Sequence, residues 1–310
     1  MPRFPAPSTV SDAARTLIDS APPILPLDVS VDALVALRRT LLDTVGPAGR
    51  EVAKAAGVTV EEARVGGVPV QWVIPRDASS NAVIQYAFGG GYVTGSPEED
   101  LAITARLAAF SGARVCAVRY RLAPEHPYPA QREDALAVYR GLLSSGARKI
   151  AVSGESAGGN LSLALIGAAA AEGLPMPVAA ALLSPWCDLT HSGDSAATND
   201  GVDPVFSRDL WGVAMARTFA GGQPLDLPGI SPIHAPVPKG FPPTLITSGT
   251  RDLLLSDCAR LSTKLRAAGV AAELRVWEGM WHVFEYYPEL PEAEASLNEL
   301  GAFLKRHLQA

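Results

Sequence analysis

The chain has few cysteines. Its 310 residues include three, Cys116, Cys187 and Cys258, far apart and without a CxxC pair, which speaks against a disulfide framework or a zinc site and fits a reducing compartment. It has no excess of positive charge either. Lys and Arg number 26 against 32 Asp and Glu, a formal net charge of −6, and such a surface repels a phosphate backbone, so a nucleic-acid partner is excluded. Long apolar runs are also missing. No stretch approaches the roughly 20 residues of a membrane span, and MPRFPAPSTVSDAARTL has no signal-peptide core. A soluble, cytoplasmic protein without a membrane partner is expected. What the chain does have is 48% hydrophobic and 19% charged residues, the composition of a globular protein with a large core.

Glycine (28) and proline (26) fall between short apolar runs, which predicts many brief elements joined by turns. Helices are expected over 11–20 and 30–45, with Ser11 and Ser30 as N-caps and Leu34, Leu37, Leu41 and Leu42 at helical spacing. VTVEEARV and VPVQWVI, around Gly66-Gly67, predict an edge hairpin. From residue 81 onward, the runs AVIQYAF, RVCAVRY, KIAVSG, VAAALLS, PTLITSG and AELRVW alternate with helical stretches beginning near Glu98, Ala130, Ser156 and Ser256. This is the pattern of a mainly parallel sheet covered on both faces, an α/β fold. Residues 186–240 break the alternation, with Trp186, Phe206, Trp211, Met215 and Phe219 among turn residues. They read as an insertion above the sheet which, with residues 1–50, forms a cap on a single domain spanning 1–310.

The chemistry centres on KIAVSGESAGGN, where Gly154-Glu155-Ser156-Ala157-Gly158 joins a strand to a helix. A G-x-S-x-G in that setting is a nucleophile elbow, and Ser156 is its nucleophile. The loop lacks the Gly-Lys-Ser/Thr ending of a phosphate cradle. A serine hydroxyl needs a base oriented by a carboxylate. Among five histidines, His282 alone follows a late strand across a short loop, at the carboxyl edge where open α/β sheets bind ligands. Asp252 directly follows the strand of TLITSGTRDLLLSD and is preferred as the acid over Asp257, which suits a helix cap. The amide of Ala157 and those of Gly89-Gly90-Gly91, directly after AVIQYAF, are candidate oxyanion donors.

Several segments together resemble the hormone-sensitive-lipase-like esterases of the α/β-hydrolase superfamily: FGGGYVTGS, YRLAPEHPYPA, GESAGGN, SPWCDL, GTRDLLLSD and MWHVF. The resemblance runs from about residue 81 to the end. It implies an α/β-hydrolase fold with a helical cap, a Ser156–Asp252–His282 triad, oxyanion donors Gly90, Gly91 and Ala157, and no metal or cofactor. It also implies a homodimer through the sheet edge and terminal helix. One departure stands out. Phe88 occupies the place of the family's motif histidine, which removes a polar support from the glycine loop, and Glu155 stands where many members carry aspartate. Phe88, Gly89, Tyr92, Trp186, Phe206, Trp211 and Trp281 are expected around the substrate, with Phe219 and Met280 as further candidates.

The expected function is hydrolysis of small, short-chain acyl esters through an acyl-enzyme. Hydrolysis of a lactone, carbamate or acetylated metabolite is the alternative within the same chemistry. A non-catalytic small-molecule receptor is the alternative outside it, and retention of all three triad residues speaks against it. A thiol enzyme using Cys187 or Cys258 lacks an elbow at either residue.

Overall fold

The computed structural model describes residues 4–309; residues 1–3 and 310, which the single-domain expectation includes, lie outside the described residues. Among the described residues, eight strands form one sheet: β1 (Val58–Val65), β2 (Val68–Pro75), β3 (Ser79–Ala87), β4 (Ala113–Val118), β5 (Lys149–Glu155), β6 (Ala180–Leu183), β7 (Thr244–Gly249) and β8 (Ala272–Trp277). Their order is β1-β2-β4-β3-β5-β6-β7-β8. β1 pairs with β2, and β2 with β4, in antiparallel fashion; every other pairing is parallel. β5, β6 and β7 are buried almost throughout, as strands covered on both faces must be. β8 alternates between half-buried and exposed residues, as an edge strand does. This is the mainly parallel α/β sheet expected from the alternation of strand and helix, and it fits the α/β-hydrolase fold that the resemblance implies.

The helices are α1 (Asp12–Ser20), α2 (Val31–Ala55), α3 (Leu101–Ser111), α4 (Ala130–Ser144), α5 (Ala157–Ala171), α6 (Ser195–Thr198), α7 (Val213–Ala220), α8 (Leu255–Ala267) and α9 (Pro291–Gln309). α3 packs on α9 and α2, and α4 packs on α5. Ser11 caps α1 by accepting from the Ala14 N–H at 3.1 Å, whereas Ser30 occupies the N-cap of α2 without a side-chain bond. α2 runs ten residues beyond the expected 30–45, straight through Pro47. An interior proline removes one helical hydrogen bond. Burial of Gly46, Gly49 and Ala53 offsets that loss, because this turn of α2 lies directly against α3.

The insertion divides. Its first part, through α7, lies over the carboxyl edge of the parallel strands. Its second part runs down beside α5 and α8: Asn160 donates to the Ile230 carbonyl at 2.9 Å, and Lys264 donates to the Ile233 carbonyl at 2.6 Å. Beyond Gly221, the half-buried Leu225 and Leu227 pack against the main core.

Candidate active site

Ser156 follows β5 with φ +52° and ψ −119°, a conformation that costs an L-residue roughly 1–3 kcal/mol. Close packing imposes the turn. A Cβ on Gly154 would overlap the Gly158 carbonyl, and a Cβ on Gly158 would overlap the Ala87 carbonyl at the end of β3. The helix can therefore begin against the sheet only if both positions lack a side chain. The Ser156 N–H is tied to the Leu183 carbonyl at 2.9 Å.

His282 Nε2 lies 2.9 Å from Ser156 Oγ, and its Nδ1 lies 3.1 Å from Asp252 Oδ1. Asp252 is fully buried. It accepts from Ser248 Oγ at 2.7 Å and from the Leu254 N–H at 2.8 Å. Burial alone pushes its carboxyl up, but His282, with hydrogen bonds from Ser184 and the Leu254 N–H, outweighs it and holds the group below the ordinary aspartate value. For His282, burial favours the neutral ring; the charge and hydrogen bond of Asp252, with Asp203 and Glu285, outweigh that and raise its pKa above the ordinary value. Asp257, the competitor, accepts instead from the Asp188 N–H at 2.8 Å, and burial pushes its carboxyl up to about 8.

Asp203 was not picked out from the sequence. One oxygen of its buried carboxyl accepts the His282 N–H at 3.0 Å and the Leu253 N–H at 3.3 Å, and the other accepts the Val205 and Phe206 N–H groups. It thereby joins the base-bearing loop, the acid-bearing loop and the insertion. Burial raises it to about 6. The run Gly201-Val202-Asp203-Pro204 reads as a turn with a capping aspartate, and nothing local distinguishes it from any other.

Ser156 and His282 open into a cavity of about 250 Å³ lined by Leu41, Val45, Gly89, Gly90, Gly91, Trp186, Phe206, Trp211 and Met215, among others. The Phe206 ring stacks on His282 at 5.0 Å. Leu41 and Val45 come from α2, and Trp211 Nε1 donates to the Leu25 carbonyl at 2.7 Å, so the N-terminal segment and the insertion meet over the site. The amides of Gly90, Gly91 and Ala157 have no acceptor among the described residues. Glu99, Asp100 and Glu155 also reach the cavity wall. Glu99 and Asp100 were not picked out from the sequence, since carboxylates ahead of a helix read as ordinary N-terminal charges, whereas Glu155 was noted there only as the residue in the place of the family's aspartate.

The fold is shared with known proteins. A family profile described as the alpha/beta hydrolase fold matches residues 84–286. An acetyl-hydrolase of Streptomyces hygroscopicus is 36% identical over 245 residues, 78% of this chain and 81% of that protein. The putative acetyl-hydrolase LipR of Mycobacterium tuberculosis is 34% identical over 278 residues, 88% of each chain. Among solved structures, esterase E25 superposes with a TM-score of 0.91 at 34% identity, covering 99% of this chain and 98% of its own. An esterase described as belonging to the bacterial hormone-sensitive lipase family gives 0.79 at 35% identity, covering 89% of this chain and 97% of its own. The chain belongs to the hormone-sensitive-lipase-like esterases of the α/β-hydrolase superfamily.

Within this esterase, the expected substrate-facing residues separate into two groups. Gly89, Trp186, Phe206 and Trp211 line the cavity. Phe88, Tyr92 and Trp281 do not, and that expectation is corrected. Phe88 stacks on Tyr120, with ring centroids 4.1 Å apart. Tyr92 stacks on Phe219 at 3.8 Å and donates to Asn160 Oδ1 at 2.7 Å. Trp281 packs with Met280, Val10, Ile18 and Phe284 in a satellite core beneath α1. Each of these rings is buried against other side chains instead. Phe219 and Met280 are likewise core residues. All three cysteines are buried and free. Burial raises their thiols, which makes them poor nucleophiles.

Proposed function

We propose that the chain, a serine carboxylesterase by family, hydrolyses small, short-chain acyl esters with Ser156 as nucleophile, His282 as base and Asp252 as the acid that orients it. The observation that carries the reading is the continuous line from Ser156 Oγ through the His282 ring to Asp252, at 2.9 and 3.1 Å, opening on a cavity. His282 Nε2 takes the Ser156 proton as Oγ bonds to the ester carbonyl carbon. The carbonyl oxygen gains negative charge beside the Gly90, Gly91 and Ala157 amides. The imidazolium, stabilised by Asp252, gives its proton to the departing alkoxide, and the alcohol leaves an acyl-serine. Water gives a proton to His282 as its oxygen bonds to the acyl carbon; the acyl C–Oγ bond then breaks, His282 returns the proton to Ser156 Oγ, and the acid is released.

The small acyl group follows from volume. About 250 Å³ lies below the roughly 300–1,000 Å³ of sites for drug-sized ligands. Residues 4–50 and 186–240 act as the cap. Two relatives named acetyl-hydrolases favour an acetyl ester or other acetylated metabolite within the same mechanism. No described helix is long and apolar enough to cross a membrane. The reading extends to a cytoplasmic homodimer through the sheet edge, where Val276 of β8 is 45% exposed.

The test is hydrolysis of short- and long-chain nitrophenyl esters by the protein and its Ser156→Ala variant. The expected result is short-chain turnover abolished by the substitution, with long chains poorly used. Turnover that survives the substitution, or none by the parent protein, overturns the reading.

A further inference from the structure

The three glycines after β3 differ in how their amides are engaged. Glu155, the residue before the nucleophile, accepts the Gly89 N–H through Oε1. Its carboxyl lies flat against that glycine: a Cβ on Gly89 would overlap both carboxyl oxygens. The contact is set by the sheet, since β3 and β5 pair in register with Ala87 opposite Gly154. On the other side of the loop, the Tyr120 hydroxyl donates to the Phe88 carbonyl at 2.7 Å. The Gly90 carbonyl accepts from the Val93 and Thr94 N–H groups at 3.1 and 2.9 Å. Among the described residues, the Gly90 and Gly91 amides are left without an acceptor. The phenyl ring of Phe88 has no polar atom with which to hold the loop.

We propose that Glu155 is a positioning residue: it grips the Gly89 N–H, fixes the glycine loop so that the Gly90 and Gly91 amides meet the oxyanion, and takes Gly89 out of the donor set. This rests on the esterase reading above. Glu155 and Gly89 form a matched pair, because the carboxyl occupies the space a side chain at residue 89 would fill. Burial, with Asp100, Glu285 and Glu99 nearby, pushes the Glu155 carboxyl well above the ordinary glutamate range. A neutral amide of the same length is therefore its closest substitute.

The experiment measures kcat and KM on a short-chain nitrophenyl ester for the full-length protein and for Glu155→Ala, Glu155→Gln, Glu155→Met, Gly89→Ala and the Gly89→Ala/Glu155→Ala pair. Circular dichroism reports folding, and Ser156→Ala sets the background. A parent no faster than that background refutes the esterase reading; an active parent leaves Glu155 as the sole question. Glu155→Ala is expected to lower kcat about 10- to 100-fold with KM within about 3-fold, because the oxyanion amides act in the transition state. Glu155→Gln keeps an oxygen acceptor at the same reach and is expected within about 5-fold of the parent, with Glu155→Met well below it. The Gly89→Ala loss is expected to vanish in the Glu155→Ala background, since both changes break one contact. Where Glu155→Ala does not fold, the Gln and Met variants decide. Parent-like kcat in Ala or Met, or a Gln variant as slow as Met, overturns the proposal.

Discussion

At the scale of single residues, the site is governed by what surrounds His282. Burial would lower its pKa, but Asp252, Asp203 and Glu285 outweigh burial and raise it, above the ordinary value of roughly 6.5. Only the neutral ring accepts the serine proton, so kcat/KM is expected to rise with pH through a midpoint above about 6.5. Asp203→Asn keeps an oxygen to accept the His282 N–H but removes a negative neighbour, and is expected to move the midpoint down. A pH profile of both proteins checks this; coincident midpoints would contradict it. The sequence made the serine, acid and base legible because each sits at a strand end in a fixed chain order. Asp203 was not legible. Two of its partners, Leu253 and His282, lie 50 and 79 residues away, and its own surroundings describe only a turn. Tyr92 was misplaced for a related reason: adjacency to the glycine loop does not say where a ring packs.

At the scale of elements, strand positions followed closely from the apolar runs, since a strand buried on both faces has a composition few other elements share. The far end of α2 did not, because its continuation depends on α3. A Cβ on Gly49 would stand 2.9 Å from Leu101 Cβ and 3.2 Å from the Glu98 carbonyl oxygen, so the two helices touch backbone to side chain at that turn. This contact also positions Leu41 and Val45, one to two turns earlier, on the cavity wall. Gly49→Val therefore tests fold and function at once. Overpacking of this kind costs about 1–3 kcal/mol, so the melting temperature should fall by a few degrees. KM for a short-chain ester should rise as the cap helix is pushed off α3. A melting temperature and KM equal to the parent's would show that α2 is not fixed there.

At the scale of the whole molecule, the buried acids set how stability answers to pH. Burial raises Asp100 to about 7, Asp203 to about 6 and Asp257 to about 8, and raises Glu155 and Glu285 as well. From about pH 4, where the unfolded chain releases these protons, up to those folded values, the native state holds more protons than the unfolded one. Stability therefore falls as pH rises across that window. His282 acts in the same direction: its raised pKa stabilises below about 6.5 and loses that contribution as pH climbs through the folded value. His191 and His307, lowered by burial, act oppositely, but their shifts are small beside those of the three aspartates. Asp188 and Asp252, held low, stabilise above about pH 4 and lose that contribution only as acid protonates them. The melting temperature is thus expected to peak near pH 5 and to be lower at pH 8.5 than at 5.5, while kcat/KM climbs over the same interval. Thermal scans and initial rates in one buffer series measure both. A melting temperature that rises together with activity would mean that the buried acids do not keep their protons in the native state. The opposition follows from one arrangement: the acids packed behind the serine and the oxyanion loop help hold the site together in the protonated form, whereas the base in front of them works only when deprotonated.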